Sequence, residues 1–449
     1  MLKRKIDNFL EQFYRRTDKA LLVTGARQTG KSFSIRHYGT TSYEHFAEIN
    51  FVDQPEAAEI LKGAKNNQDI LVRLSLLTDV ALEKGKTLIF FDEVQECPDI
   101  VTAIKFLVEE GSYRYIMSGS LLGVELNDLR SEPVGYMDVT EMFPLDLEEF
   151  FQAMGVSDKV IAHLKNAFEK GQPVDDFVHE KMMELFRLYL VVGGMPAAVQ
   201  KYVDTHNLQD VMAEQQSIVR LYKRDISKYD KHHKLYLEEI FDLIPSELNA
   251  KNKRFIMKRL NENLKFSRYE NSFLWLKDAG VALPTYNVEE PTVPLKLSRS
   301  RNLFKLFQSD IGLLASQYAE GIQLRIIKDE KSINFGAIFE NVVAQELHAH
   351  GFDLYYFNSK KQGELDFVIE RNGHVVPIEV KSGKDYLRHN ALSSVTGNQD
   401  YAITEAVVFC QDNVRICGNI SYFPIYMVTF LKKAEIGDVV YSVNMAGLD

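Results

Sequence analysis

Short apolar runs, each followed by glycine or by charged residues, mark the strands of the first 150 residues. Ala20–Thr24 and residues 87–91 are apolar along almost their whole length, which is typical of central parallel strands that are buried on both faces. Residues 113–117 predict a third strand. Helical patterns separate these runs, and this alternation predicts an α/β domain with a parallel sheet. We place this domain at residues 1–155.

The pattern changes to apolar positions three and four residues apart from about residue 156, which predicts a helical domain over residues 156–231. Residues 232–325 then read as three short helices followed by strands, with the middle helix at residues 252–261 and a strand at residues 293–298. Three helices and a β-wing describe a winged helix. Such a domain either binds DNA or serves as a lid, and the sequence leaves both open.

The last predicted domain, residues 326–449, has a helix ending near Gly351, a strand and then a hairpin. Asn372 and Gly373 separate two apolar runs, which is a strong hairpin signal. Asp366 and Glu379 interrupt those runs, so the hairpin carries charge where an apolar strand would not need it.

Composition and charge narrow the class of protein. A chain of 449 residues is too long for one hydrophobic core. It has no apolar run long enough to span a membrane, no apolar core of a secretory signal, and three cysteines without a CxxC pair. The net charge is −10, but residues 251–310 hold twelve Lys and Arg against six Asp and Glu. We therefore predict a cytoplasmic protein that is not bound to membranes and has a local basic region, which suits either DNA or a solvated helical surface.

A nucleotide-binding motif follows the first strand. The sequence GARQTGKS fits GxxxxGK[ST], in which backbone N–H groups surround phosphate oxygens at a helix N-terminus. The predicted ATP-binding residues of this loop are Gly25, Ala26, Arg27, Gln28, Thr29, Gly30, Lys31 and Ser32. Lys31 is expected to reach the β- and γ-phosphates, and Ser32 to bind Mg²⁺.

Two carboxylates at the end of the second strand complete a hydrolytic arrangement. Asp92 is expected to hold Mg²⁺ through water, and Glu93 to polarise the attacking water. Ser118, at the end of the third strand, could sense the γ-phosphate, although Ser-Gly-Ser at a strand end is also an ordinary turn.

These motifs, together with the sequences PVGYMDVTEMFPLDLEEF and YLVVGGMPAAV, resemble bacterial and archaeal AAA-type ATPases that carry a C-terminal domain of unassigned function and are related to the STAND switches. The resemblance implies a helical lid whose Gly194 and Pro196 lie against the adenine. Many relatives have Gly-Arg where this chain has Gly135-Tyr136. The arginine finger is therefore left open, and a neighbouring subunit of a homo-oligomer could supply it. The candidates within this chain are Arg114, Arg130, Arg220 and Arg224.

The hairpin and the helix before it resemble the PD-(D/E)xK nucleases, with spacing close to that of archaeal Holliday-junction resolvases. Glu340, Asp366, Glu379 and Lys381 match that motif. Carboxylates suit Mg²⁺ or Mn²⁺, so the first three are predicted metal ligands, and Lys381 is the predicted catalytic lysine beside them. Glu346 is expected to be a hydrogen-bond acceptor behind this site.

The sequence thus predicts an ATP-regulated, DNA-acting protein in which the P-loop ATPase domain controls a C-terminal α/β nuclease-like domain. The alternative is a non-catalytic ATP switch whose C-terminal domain recruits a protein partner.

Overall fold

A five-stranded parallel sheet forms the N-terminal domain. The computed structural model describes residues 1–62, 64, 66–120, 135–229, 234–250, 253–255, 270–319, 321–330, 332–433 and 442. The strands of the first sheet lie in the order β2-β3-β4-β1-β5. They are β1 (Ala20–Thr24), β2 (His45–Asn50), β3 (Thr87–Asp92), β4 (Arg114–Ser118) and β5 (Met137–Glu141). Every residue of β3 is buried, as its apolar sequence predicts for a strand covered on both faces.

Helices flank this sheet and continue into the helical middle of the chain. The helices around the sheet are α1 (Lys5–Arg16), α2 (Lys31–Ser42), α3 (Pro55–Lys62), α4 (Asn67–Leu77) and α5 (Pro98–Glu110). The following helices are α6 (Leu147–Ala153), α7 (Asp158–Lys170), α8 (Asp176–Val192), α9 (Pro196–Thr205), α10 (Leu208–Tyr229) and α11 (Lys234–Asn249). The apolar faces of helices α6 to α11 share one large core with the C-terminal part of the chain.

The second sheet has eight strands in the order β12-β13-β11-β10-β9-β8-β6-β7. Its strands are β6 (Ala282–Val288), β7 (Arg299–Gln308), β8 (Tyr355–Ser359), β9 (Gly363–Arg371), β10 (His374–Val380), β11 (Ala406–Cys410), β12 (Arg415–Cys417) and β13 (Ile420–Pro424). The helices of this part are α12 (Glu270–Asp278), α13 (Ile311–Ser316), α14 (Ile322–Ile327), α15 (Phe335–Ala349) and α16 (Asn390–Thr396). The sheet is mixed, with β6 parallel to β8 and antiparallel to β7.

The predicted hairpin is present at β9–β10. Arg371 pairs with His374, so Asn372 and Gly373 form a two-residue turn, and both have positive φ. This backbone conformation is why Asn-Gly is favoured at such turns.

The predicted wing does not stand apart from the C-terminal domain. Strands β6 and β7 pair with each other, and β6 also pairs with β8, so the second sheet crosses the predicted boundary at residue 325. The middle predicted helix, residues 252–261, lies almost wholly outside the described residues. The strand predicted at residues 293–298 is wrong, because Leu295–Ser298 form a 3₁₀ turn after Pro294, in which Leu297 N–H bonds to the Pro294 carbonyl.

Within the described residues, the structure has no helix both long and apolar enough to cross a membrane. The cytoplasmic location stays a prediction.

Candidate functional site

The predicted phosphate loop connects β1 to the N-terminus of α2. Gly25 has φ +127°, and a side chain there would overlap the carbonyl oxygen of Met142, so the loop requires glycine at this position. Gly30 precedes α2 in a left-handed conformation. The loop lines a cavity of about 740 Å³, into which Lys31, Ser32 and Glu93 also face. Five of the eight motif residues therefore line a volume large enough for a nucleotide, whereas Gly25, Ala26 and Thr29 do not line it.

Lys31 is turned onto the phosphate loop itself. Its Nζ donates to the carbonyl oxygens of Gly25 at 2.9 Å and Ala26 at 2.8 Å. Burial lowers the pKa of the Lys31 ammonium to about 8. An anion in the cavity would relieve this unfavourable burial, as a phosphate bound by an ammonium does.

The oxygens expected to hold Mg²⁺ lie side by side. Ser32 Oγ donates to Asp92 Oδ1 at 3.0 Å, and Asn50 Nδ2 donates to Asp92 Oδ2 at 3.1 Å. Burial raises the pKa of Asp92, against the hydrogen bonds that it accepts from Ser118 and Ser32. A hydroxyl and a carboxylate beside the phosphate loop are oxygen ligands of the kind that Mg²⁺ prefers, so these residues fit the ion.

Glu93 and Ser120 line the cavity, whereas Ser118, the last residue of β4, does not. Glu93 lies in the cavity lining with φ +56°, and its Oε2 accepts from Gln95 Nε2 at 2.6 Å and Ser120 Oγ at 3.4 Å. The Ser118 hydroxyl, which is buried, bonds instead to Asp92. Ser120, two residues further on, also lines the cavity and was not singled out by the sequence.

Of the two residues predicted to contact the adenine, Pro196 lines the cavity and Gly194 does not. Pro196 lines the cavity at the start of α9. Gly194 lies behind it, where its N–H donates to Asp310 Oδ2 at 2.6 Å and its carbonyl accepts from Leu145 N–H at 2.6 Å. A side chain at Gly194 would overlap the Leu145 carbonyl. This glycine is therefore placed for close packing, and only Pro196 is in position to contact a bound nucleotide.

Arg4 supports the loop from outside the motif. Its side chain is buried and donates to the carbonyl oxygens of Thr29 at 2.9 Å and Phe143 at 2.7 Å, while its Nε donates to Glu149 Oε1 at 3.1 Å. A buried arginine near the N-terminus carries no motif, so sequence reasoning missed it.

The candidate arginine fingers lie in different places, and Arg220 and Arg224 are exposed on α10. Arg114 is paired with Asp18 at the far end of β4. Arg130 lies outside the described residues. Arg27, which was predicted as a loop residue, pairs with Asp225 on α10 at 2.7 Å and also lines the cavity.

The four predicted residues of the C-terminal site do gather at one place. Asp366 Oδ2 accepts from Val380 N–H at 2.8 Å, which joins β9 to the end of β10. Lys381 Nζ bonds to Glu379 Oε1 at 2.6 Å, so the two side chains lie on the same face. Burial, followed by the charge of Asp366, raises the pKa of Glu379, and Glu340 adds to this effect. Glu340 is buried on α15.

Two lysines from the preceding region enter this group. Lys253 Nζ is bonded to Glu340 Oε1. Lys305 on β7 is fully buried, with its Nζ 2.9 Å from Glu364 Oε1, 3.6 Å from Glu340 Oε2 and 4.0 Å from Asp366 Oδ1. We call Glu340, Glu364, Asp366 and Glu379 the carboxylate cluster. Sequence reasoning placed both lysines on a basic surface and missed Glu364.

As arranged, the carboxylate cluster does not fit a divalent metal. Glu340, Asp366 and Glu379 do not bring their carboxylate oxygens within 4.8 Å of one another. Of the described residues, those that meet this spacing are Asp146, Glu346 and His350. Ammonium groups of Lys253, Lys305 and Lys381 lie beside these carboxylates instead.

Glu346 joins α15 to the start of α6 and is not part of the carboxylate cluster. Its Oε1 accepts from Leu147 N–H at 2.9 Å, and burial followed by the charge of Asp146 raises the pKa of Glu346. Lys5 supplies a cation to Asp146 and Glu148 nearby. Glu346 is therefore a hydrogen-bond acceptor, as expected, but its partner is the Leu147 N–H and it does not support the carboxylate cluster.

Comparison with protein families identifies the first domain. A family model described as an AAA domain matches residues 17–151, which hold the phosphate loop, Asp92 and Glu93. The first domain is therefore similar to AAA domains over residues 17–151 and carries a P-loop. Two models described as domains of unknown function match later parts of the chain, DUF8612 over residues 183–323 and DUF4143 over residues 335–427. A search of curated proteins found no match.

Several solved structures share a distant likeness with the chain. The Walker-type ATPase PABY2304 of Pyrococcus abyssi is 12% identical, with 71% of this chain and 96% of that chain covered and a TM-score of 0.41. The ORC1 protein of Aeropyrum pernix, in a complex with DNA, is 13% identical over 73% and 91% of the two chains, with a TM-score of 0.28. The STAND protein PH0952 of Pyrococcus horikoshii, which has a tetratricopeptide repeat sensor, is 12% identical over 77% and 48%, with a TM-score of 0.27. At these TM-scores the likenesses support no conclusion about function.

Proposed function

We propose that this protein binds and hydrolyses ATP in its P-loop domain and uses the nucleotide state to control its C-terminal α/β domain. The observation that carries the proposal is the cavity of about 740 Å³ in which Lys31, Ser32 and Glu93 meet beside Pro196. Ser32 and Asp92 would hold Mg²⁺, which neutralises charge on the phosphates. Lys31 would exchange its bonds to loop carbonyls for the phosphates, and Glu93 would orient the attacking water.

A chain of contacts supports the proposed control of the C-terminal domain. Pro196 lines the cavity, and Gly194 two residues before it donates to Asp310. Asp310 caps α13, and the next residue, Ile311, donates its N–H to Gln345 Oε1 on α15 at 3.0 Å. A nucleotide that moves the segment at Pro196 therefore acts on a helix that also carries Glu340. This continuity supports a switch, since coupling needs packed elements between two sites.

Turnover of ATP tests the proposal directly. Glu93→Gln is expected to keep ATP binding and to lower the turnover number roughly 10²- to 10⁴-fold, because only the group that orients water is changed. Glu96→Gln, an exposed glutamate three residues further on, is the matched control and should behave like wild type. Equal turnover in the Glu93 and Glu96 variants would refute the assigned role of Glu93.

DNA is the proposed partner of the C-terminal half. The basic stretch of residues 251–310 supports it, but Lys253 and Lys305 lie in ion pairs within the protein, so they do not contribute to a binding face. Lys277 and Lys296 are exposed. Affinity for duplex DNA should fall steeply with salt, and replacing both exposed lysines by Met should flatten the slope by roughly one unit per lost contact. An unchanged slope would argue for the recruitment of a protein partner instead.

Metal-dependent DNA cleavage is the second candidate for the C-terminal domain, and it requires the carboxylate cluster to rearrange, because Lys305 now lies among its oxygens. It is favoured by one observation, the convergence of Glu340, Asp366, Glu379 and Lys381 from α15, β9 and the end of β10. Purified protein incubated with plasmid and branched DNA in Mg²⁺ or Mn²⁺ tests it. Cleavage that is lost in Asp366→Ala would establish this activity, and cleavage that persists in that variant would point to a contaminant.

A further inference from the structure

The cation of the carboxylate cluster is part of the chain. We propose that Lys305 is the resident cation of this cluster, and that the cluster binds no divalent metal while Lys305 is in place. The inference does not depend on the ATPase proposal. It bears on the second candidate function, because a metal-dependent nuclease at this site would first have to displace a buried lysine.

The position of the Lys305 ammonium carries the inference. Its Nζ lies 2.9 Å from Glu364, 3.6 Å from Glu340 and 4.0 Å from Asp366, and 5.1 Å from the centre of the Tyr356 ring. Glu340 and Asp366 are two of the three carboxylates that the motif predicts as metal ligands. A divalent ion bound to them would stand a few ångströms from a buried ammonium, where the repulsion is strong because little water screens it.

The backbone holds Lys305 in this place. Strand β7 pairs with β6 on both sides of Lys305, through Leu306↔Pro284 and Phe304↔Tyr286, and β6 pairs with β8. The Lys305 side chain has no exposed surface. It cannot turn outward to solvent without separating β7 from the core, so a metal could not displace it by a simple side-chain rotation.

The remaining charges leave the cluster without a net charge to attract a metal. Lys253 bonds to Glu340, Lys381 bonds to Glu379, and Arg254 Nη2 lies 3.9 Å from Glu364. Among the described residues, four carboxylates thus face Lys253, Arg254, Lys305 and Lys381, and the formal charges cancel. A divalent site instead keeps an excess of negative oxygen ligands.

The arrangement also gives the cluster a role. It fastens β7 and the segment at residues 253–255 to α15 and β9, which come from a different family-matched region. The carboxylates that resemble a nuclease site therefore form ion pairs that join two regions of the chain.

Titration with Mn²⁺ tests the proposal. The full-length protein is titrated without nucleotide, because the P-loop metal position is incomplete without it. Free Mn²⁺ is followed by electron paramagnetic resonance. Wild type should bind no Mn²⁺ at the cluster. Lys305→Met should gain one site per chain, and Lys305→Met combined with Asp366→Asn should lose it again. Lys328→Met, which removes an exposed lysine outside the cluster, should bind as wild type does.

Two results would overturn the proposal. One is a wild-type Mn²⁺ site that disappears in Asp366→Asn, which would show that the metal and Lys305 coexist. The other is a folded Lys305→Met protein that gains no site. If circular dichroism shows that Lys305→Met does not fold, the wild-type and Asp366→Asn titrations still decide. Lys253→Met, which removes a less buried ammonium from Glu340, then replaces it as the variant expected to gain affinity.

Discussion

Replacing Lys31 by methionine separates the effect of the buried ammonium on the free energy of unfolding from its effect on ATP affinity. Methionine keeps the length of the apolar stem but removes the ammonium. In the nucleotide-free protein that ammonium has its pKa lowered from 10.5 to about 8 by burial, a difference of 2.5 units. At about 1.4 kcal/mol per unit, the charged form costs the folded state about 3 kcal/mol at neutral pH.

Two terms oppose each other when the ammonium is removed. The variant loses the hydrogen bonds to the Gly25 and Ala26 carbonyls, which contribute about 1 kcal/mol each. It also escapes the burial cost. We therefore expect the free energy of unfolding without nucleotide to stay level or to rise by up to about 3 kcal/mol. ATP affinity should fall roughly 10- to 150-fold, because a charge-assisted contact to phosphate is worth about 1.5–3 kcal/mol.

Urea denaturation and calorimetric ATP titration measure the two effects. Because the folded-state pKa of Lys31 is lowered, the folded protein binds fewer protons than the unfolded chain between about pH 8 and pH 10.5. Wild-type stability relative to the variant should therefore rise across that window. Lys86→Met, an exposed lysine before β3, is the control. A nucleotide-free Lys31→Met protein destabilised by more than about 2 kcal/mol, or one that binds ATP normally, would refute this reasoning.

Three further substitutions test the surroundings of the nucleotide site. Gly194→Ala should destabilise the protein by about 1–3 kcal/mol in urea denaturation because the new methyl group overlaps the Leu145 carbonyl, whereas Gly383→Ala, in open space, should be neutral. Arg4→Met should cost about 3–5 kcal/mol, since it leaves a buried carboxylate unpaired, and should also weaken ATP binding; equal stability would contradict it. Glu346→Gln should change the free energy of unfolding little at low pH. At a pH above the ordinary pKa of glutamate, it should make the protein more stable than wild type. Burial raises the pKa of this carboxyl in the folded state, so wild type alone loses stability as the pH rises, and parallel pH profiles would exclude this role.

Local signals in the sequence were enough for three of the five strands of the first sheet, β1, β3 and β4, and for the β9–β10 turn. The apolar run of β3 and the Asn372-Gly373 pair each act over a few residues, and the structure has both. What the sequence could not supply were contacts between distant segments. Lys305 reads as one of twelve basic residues in a stretch, and it reaches Glu340 because β7 packs against α15, where Gln308 N–H donates to Asn341 Oδ1 at 2.8 Å.

The same limit explains the metal prediction. A motif gives the order and spacing of carboxylates, but not the charges that the rest of the chain brings to them. Glu340, Asp366, Glu379 and Lys381 do meet, as the motif indicates, and Lys253 and Lys305 meet them from residues that belong to no motif. Arg4 beside the phosphate loop is a second case, since its three partners are 25 to 145 residues away.

The eight-stranded sheet also decides where the chain can be cut. The family match for the last region begins at residue 335, but β8 is bordered there by β6, which lies before that point. A fragment that starts at residue 335 would leave the β8 backbone as an open edge, a recognised route to aggregation. It would also lack Lys305 while keeping Glu340 and Asp366. We expect such a fragment to be insoluble and one that includes β6 and β7 to be soluble, because the unit of sequence similarity is smaller than the unit that folds.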